Sequence, residues 1–338
     1  MRSFLKFLVF IAVFSFSSCV KEEKMADTPL GNFEELWKII DERYCFLEYK
    51  EIDWDGLYTE YRKYISDDMP DEELFNILAR MLDELKDGHV NLYSDNEITY
   101  YTHWFDEYPR NFNEVVLMHY LAGKYRAEGS IRYAILEGNI GYIHCDNFSA
   151  TMSNDKLNTM LKYMSGCDGL IVDVRNNSGG SIGNATLLAS HFTAEKKLVG
   201  YIQHKTGKGH GSFSTPQAIY IDPSVGIHWS KPVVVLANRQ TFSAGNYFVN
   251  MMRYFPQVTT MGDVTGGGSG LPFTSELPNG WGVRFSASPH YDADMNHIEF
   301  GIEPEHRVNM SPQDEEKGID TIIEKARFLL GFSTFFSK

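Results

Sequence analysis

Apolar residues recur at the spacing of a helix face along the first part of this chain. Phe33, Leu36, Trp37 and Ile40 fall at i, i+3, i+4 and i+7. Leu74, Phe75, Leu78, Met81, Leu82 and Leu85 repeat that spacing, with Asp71 near the start and Gly88 placed as a left-handed cap. Val90, Asn91 and Leu92 then read as extended. From Ile131 onward the pattern alternates. Short β-branched and apolar runs predict strands over 131–136, 141–144, 170–174 and 233–236. Amphipathic stretches predict helices over 155–164, 183–192 and 243–255. Glycines make 262–272 a predicted loop, 280–288 reads as extended, and 314–330 predicts a closing helix. The aromatic-rich segment 95–128 has no clear period and predicts no element. Strand–helix alternation of this kind builds an α/β layer structure around a largely buried sheet.

Residues 1–18 stand apart from this pattern. Arg2 and Lys6 give a positive start, an apolar run over 7–16 is too short to span a bilayer, and Ser17-Ser18-Cys19 follows. This is the layout of an export signal. A cysteine directly after two small residues resembles the lipobox of bacterial lipoproteins. That resemblance implies lipidation of Cys19, a tether over 19–29 and a place in the cell envelope, with plain secretion as the alternative. The chain has 338 residues, 43% hydrophobic and 22% charged, so it can bury a substantial core. A net charge of −14 argues against nucleic acid as a partner, since no basic stripe is present to neutralise phosphates. The cysteines beyond Cys19, at 45, 145 and 167, are odd in number, widely spaced and outside any CxxC pair. They suggest neither a disulfide framework nor a zinc site, and no metal or cofactor is expected. Membrane contact is expected only through the lipid anchor, and the oligomeric state is left open.

Four segments carry candidate chemistry. Residues 237–248 read ANRQTFSAGNYF, where an apolar strand run passes into a helix. Ser243 at that junction reads either as an N-cap or as a nucleophile beside the unpaired N–H groups of a helix's first turn, where negative charge is stabilised. Residues 170–180, LIVDVRNNSGG, run a buried strand into the pair Gly179-Gly180. Glycine lets backbone N–H groups approach a ligand closely, which suits an oxyanion hole as well as a plain strand-to-helix turn. Residues 86–92, KDGHVNL, place His89 after a helix end, and an imidazole titrates near neutrality, as suits a general base. Residues 297–305, HIEFGIEPE, offer Glu299 as an acid that would orient a histidine.

Taken in order, these segments resemble the C-terminal processing peptidase and tricorn core protease family of serine peptidases. The matching pieces are DGH at 87–89, DVRNNSGG at 173–180, TFSAG at 241–245, MGDVTGGG at 261–268 and GIEPE at 301–305. The resemblance implies a ClpP/crotonase-like α/β core, a mixed sheet flanked by helices, over 131–338. A small helical domain over 30–94 and a connecting segment over 95–130 precede it. The implied activity is peptide-bond hydrolysis through an acyl-enzyme on a protein or peptide substrate. Ser243 is then the nucleophile, with Ala244 and one of Gly179 or Gly180 as oxyanion donors.

Processing peptidases of this family take their base from a lysine in the glycine-rich loop after the serine, and here that loop is Thr265-Gly266-Gly267-Gly268. The Gly-Lys-Gly at 207–209 precedes Ser243, so Lys208 reads as a surface lysine. The tricorn branch uses a histidine from the N-terminal helical section. His89 occupies that position, with Gly88 where tricorn has a serine. Glu299 is the acid nearest the late glycine-proline motif, and Asn246 stands where many relatives have a glutamate. Fewer residues separate Leu92 from Ile131 than the roughly 50 a domain needs, so no PDZ domain fits between them. The rival expectation is a family member without catalysis that keeps the fold as an envelope peptide- or lipid-binding protein.

Overall fold

A computed structural model describes residues 25–331. The expected export signal, Cys19 and the start of the tether lie outside the described residues. Three helices come first: α1 (Pro29–Arg43), α2 (Trp54–Tyr61) and α3 (Asp71–Asp83). Thr28 caps α1 by accepting the Gly31 N–H, and Asp71, Glu72 and Glu73 sit at the positive dipole end of α3. The spacing-predicted faces are buried, at Phe33, Leu36 and Ile40 of α1 and at Leu74, Phe75, Leu78, Met81 and Leu82 of α3. Trp37 sits at the margin of its face, edge-on to Tyr58. The left-handed turn after α3 is not at Gly88. Because the helix ends at Asp83, the turn falls at Lys86, with φ 47°. Gly88 is close-packed instead, and a Cβ there would lie 3.0 Å from Phe242 and from Trp104.

After β1 (Asn91–Tyr93), the aromatic segment contains α4 (Glu114–Leu121) and β2 (Arg126–Glu128). The chain continues through β3 (Ile131–Leu136), β4 (Ile140–Cys145), α5 (Asn154–Tyr163), β5 (Gly169–Asp173) and α6 (Ile182–Ser190). Then follow β6 (Lys197–Ile202), β7 (Gln217–Ile221), β8 (Val233–Ala237), α7 (Ala244–Met252) and β9 (Val258–Gly262). Next are β10 (Gly270–Glu276), β11 (Gly282–Tyr291), β12 (His306–Arg307), α8 (Pro312–Glu315) and α9 (Thr321–Leu329).

A mixed seven-stranded sheet runs β12-β9-β8-β5-β4-β3-β2, parallel from β12 to β4 and antiparallel from β4 to β2. Its central strands alternate between two cores. Leu170, Val172, Val233 and Val235 pack with Leu161 of α5, Leu188 of α6 and Phe248 of α7. Ile171, Val234 and Leu236 pack with Leu117 of α4 and with Ile322 and Ile323 of α9. Helices on both faces are what continuous apolar strands require. A second, antiparallel sheet has the order β1-β11-β6-β7, with β10 on β11. The N-terminal helices share their core with Leu277, Val283 and Phe285 of this sheet and its hairpin, which fixes the 85–92 loop next to the sheet-bearing core.

Two further expectations change. The loop predicted over 262–272 stops at Ser269, because the chain from Gly270 pairs with β11, with a register shift at Leu271/Pro272. The helix predicted over 314–330 is two pieces. Gly318 takes φ +71°, and Asp320 starts α9 by accepting the N–H groups of Ile322 and Ile323. No described helix is long and apolar enough to cross a membrane, and Cys45, Cys145 and Cys167 are free and buried.

Candidate active site

The turn joining β8 to α7 is pinned to the end of β5. Thr241 Oγ1 donates to the Val174 carbonyl at 2.8 Å, and the Phe242 N–H donates to the Asn177 carbonyl at 2.9 Å. At its apex Ser243 takes φ 55° and ψ −120°. A non-glycine residue there stores roughly 1–3 kcal/mol of strain. Its N–H donates to the Gly267 carbonyl at 2.9 Å, which holds the strained conformation. The side chain accepts no capping hydrogen bond from α7, so the N-cap reading does not hold. Ser243 Oγ lies instead 2.9 Å from Nε2 of His89.

His89 is 4% exposed and sits on the loop after α3. Its N–H donates to Asp87 Oδ1 at 2.8 Å. Asp87 Oδ2 accepts from the hydroxyls of Tyr44 and Ser286, both at 2.9 Å, and lies 3.6 Å from Lys50 Nζ. Lys50 in turn stands 2.8 Å from Glu299 Oε1 and donates to the carbonyls of Leu85 and Lys86 at 3.4 Å. A buried cation thus ties down the loop that carries the histidine.

Burial pushes the His89 pKa down to about 4, against the pull of Asp87, with the charges of Arg284, Lys50 and His290 adding to the effect. The ring is therefore neutral at neutral pH. For the Ser243 hydroxyl to donate to Nε2, the ring proton must be on Nδ1, which is buried and has no hydrogen-bond partner among the described residues. Burial also opposes the charge on Asp87, but Lys50, His89 and the bonds from the His89 N–H and Ser286 hold its carboxyl below the usual range. Burial, with the Asp87 charge adding, holds Glu299 above it despite Lys50.

The predicted residues are only partly brought together. Ser243 and His89 meet, whereas Glu299 does not touch His89. Glu299 holds Lys50 and accepts the Ser269 N–H at 2.7 Å, because the chain over 298–301 packs on the glycine loop rather than behind the imidazole. Asp87 belongs to the DGH motif, but Lys50 lies in a turn between α1 and α2, and no motif marks it. Trp104 stacks on Phe242 at 4.6 Å and Phe242 leans on the His89 ring at 4.8 Å, so the aromatic segment walls the histidine.

Gly179 abuts Ser243: a Cβ there would lie 2.8 Å from Ser243 Cβ and 2.9 Å from the Ala244 nitrogen. Its N–H is taken by Asn177 Oδ1 at 2.9 Å. The N–H groups of Gly180 and Ala244 donate to nothing among the described residues. Of the two glycines, Gly180 is therefore the one with a donor to offer.

The glycine loop has no room for a lysine. A Cβ on Gly267 would lie 1.7 Å from the Glu299 carbonyl oxygen. The loop serves as a brace, giving one carbonyl to Ser243 and the Gly268 N–H to Glu299. Asn246 joins it to α7 by accepting from Thr265 Oγ1 at 2.5 Å and donating to the Ile298 carbonyl at 3.1 Å. Lys208 is on the surface with Nζ 2.7 Å from Glu42. The cleft at Ser243 is narrow, about 20 Å³, whereas a cleft of about 730 Å³ lined by Arg110, Asn176 and Arg239 does not include the serine.

The sequence matches the Peptidase family S41 model over residues 139–308 and the Tricorn protease C1 domain model over 25–83. A putative peptidase of known structure from Parabacteroides merdae is 46% identical, with 92% of this chain and 99% of that one covered at a TM-score of 0.86. Carboxyl-terminal-processing peptidase 2, chloroplastic, of Arabidopsis thaliana is 28% identical over 186 residues, 52% of this chain and 33% of that protein. Mature CPAF complexed with lactacystin shares the fold at a TM-score of 0.67 and 12% identity, with 90% and 97% of the two chains covered. The chain spans only 33% and 38% of the length of the plant and Synechocystis processing peptidases it matches. With the family model spanning half the chain and the fold recurring across nearly all of it, this protein belongs to peptidase family S41.

Proposed function

We propose that this protein is a serine endopeptidase in which Ser243 is the nucleophile and His89 the general base. The observation that carries the reading is the 2.9 Å contact between Ser243 Oγ and a buried His89 Nε2. Nε2 takes the hydroxyl proton as Oγ bonds to the scissile carbonyl carbon, and the carbonyl electron pair moves onto oxygen. The N–H groups of Ala244 and Gly180 receive that oxyanion at the positive end of α7. The intermediate collapses, the C–N bond breaks, and the amine leaves with the proton from His89. Water, deprotonated by the same nitrogen, then attacks the acyl carbon; the second intermediate collapses, the ester bond to Oγ breaks, Oγ takes the proton back from His89, and the carboxylic acid product leaves.

No carboxylate contacts Nδ1 in this scheme. Asp87, one residue removed and fixed by Lys50, supplies the negative charge that stabilises the imidazolium, and Glu299 acts by holding Lys50. General-base help is worth about 10²–10⁴ in rate and each oxyanion donor on the order of 10²–10³. The names of the processing peptidases it matches support a protein or peptide substrate. The division into a helical section over 30–94, a connecting segment over 95–130 and a peptidase core over 131–338 is part of the same proposal. So is an envelope location through lipidated Cys19, which rests on residues 1–19 alone.

The test is cleavage of an unstructured protein. Turnover should collapse in Ser243→Ala and His89→Ala and persist in Lys208→Ala. Full turnover in His89→Ala would overturn the assignment of the base. Loss of membrane partitioning in Cys19→Ala tests the anchor.

A further inference from the structure

The pocket beside Ser243 has mostly apolar walls, from Ile182, Leu271, Pro272 and Ile298, and two polar groups of a different kind, Tyr247 and His290. Tyr247 follows the nucleophile by four residues, so its ring stands over the same face of α7 as Ser243. His290 of β11 meets that ring edge-on, with centroids 5.1 Å apart. Both residues are more than nine-tenths buried, at 5% and 6% exposed. His290 Nδ1 is 2.9 Å from the Ser269 carbonyl oxygen. A carbonyl only accepts, so Nδ1 carries the ring proton and Nε2 keeps a lone pair. Burial pushes the His290 pKa down to about 4, which keeps the ring in this neutral form.

Neither His290 Nε2 nor Tyr247 Oη bonds to any described residue, yet neither is sealed off among the buried orphaned atoms. Both atoms therefore keep some exposed surface, and both residues line the pocket. Buried polar groups are nearly always paired, so an acceptor and a hydroxyl left open beside a nucleophile fit a substrate atom that donates to one and accepts from the other. A hydroxyl does both. The volume, about 20 Å³, admits a group about the size of one water.

We propose that this pocket receives the substrate side chain preceding the scissile bond and selects a small hydroxyl-bearing residue, serine foremost. The side-chain hydroxyl donates to His290 Nε2 and accepts from Tyr247 Oη. Ile182, Leu271, Pro272 and Ile298 exclude charged and long side chains. The inference rests on Ser243 being the nucleophile and names the substrate class of that site.

The test is a set of peptides identical except for serine, threonine, alanine or leucine before the scissile bond, with fluorophosphonate labelling of Ser243 followed in parallel. The wild type should cleave the serine peptide at least roughly tenfold better in kcat/KM than the alanine peptide, with leucine lowest. Tyr247→Phe, which keeps the ring, and His290→Leu should each bring the serine-to-alanine ratio toward one. A wild type that labels but shows no serine preference, or a ratio unchanged in Tyr247→Phe, would overturn this inference alone. A wild type that does not label would overturn the peptidase reading and this inference with it.

Discussion

Lys50 Nζ lies 2.8 Å from Glu299 Oε1, with 5% and 4% of the two side chains exposed. The same ammonium faces Asp87, whose other oxygen holds the His89 backbone N–H, so one cation balances two buried carboxylates beneath His89.

Removing that cation leaves both carboxylates without their counter-charge. Lys50→Met is expected to cost roughly 3–5 kcal/mol in urea unfolding. Lys50→Met combined with Glu299→Gln should recover part of the loss, since one buried charge is gone. In the folded Lys50→Met enzyme the acid limb of kcat/KM should move to higher pH, because Lys50 no longer offsets the pull of Asp87 on His89.

The His89 pKa, lowered from 6.5 to about 4 chiefly by burial, sets both an activity limit and a stability window. A base with this value stays neutral well below pH 6, so the acid limb of kcat/KM should lie near 4. In the unfolded chain the ring takes up a proton near pH 6.5, whereas in the native one it does so only near 4. The stability contributed by the native ring is present above pH 6.5 and is lost as pH falls toward 4. At about 1.4 kcal/mol per pH unit this is roughly 3 kcal/mol. Urea titrations at several pH values should show a correspondingly smaller acid loss in His89→Asn.

Gly179 is where the two turns of the site touch. Gly179→Ala places a methyl against Ser243 Cβ and the Ala244 nitrogen at φ +98°. Ser243 and the Ala244 N–H are displaced together, and on the proposed mechanism kcat should fall on the order of 10²–10³. Gly123→Ala is the control. It has φ +68° with nothing within 4 Å of the new Cβ, so it should cost about 1 kcal/mol of stability and leave kcat alone.

The arginine of the DVRNNSGG motif is structural. Arg175 reaches Asp173 at 2.6 Å and Asp320 at 2.9 Å, with all three side chains fully buried. Asp320 also caps α9, so Arg175 ties that helix to β5. Arg175→Met is expected to destabilise by roughly 3–5 kcal/mol and to speed amide exchange in α9.

The sequence reveals the parts of this fold that are buried on both sides. β5 and β8 read clearly as strands because helices cover each face and Leu170–Val172 and Val233–Ala237 are uninterrupted apolar runs. β6 and β7 do not, since their half-exposed pattern mixes in Lys197 and Gln217. α4 escapes the period because Val115, Val116, Leu117, Met118 and Leu121 leave no polar stripe to define a face. The break at Gly318 is a backbone event, at φ +71°, that follows the polar run over 313–317, and the apolar face resumes only at Ile322 and Ile323. In the site, Ser243 and His89 lie in motifs and are legible. Lys50 becomes meaningful only once burial closes it between two carboxylates from distant segments. Glu299 is visible as an acid near the site, but its partner is not, because that depends on how the chain over 298–301 packs.

The most direct test of the Ser243–His89 pair is the rate of fluorophosphonate acylation at Ser243, compared between the wild type and His89→Ala. The pair predicts modification of the wild type at Ser243 and a rate about 10²–10⁴ lower in the variant. Equal rates in the two proteins would contradict it.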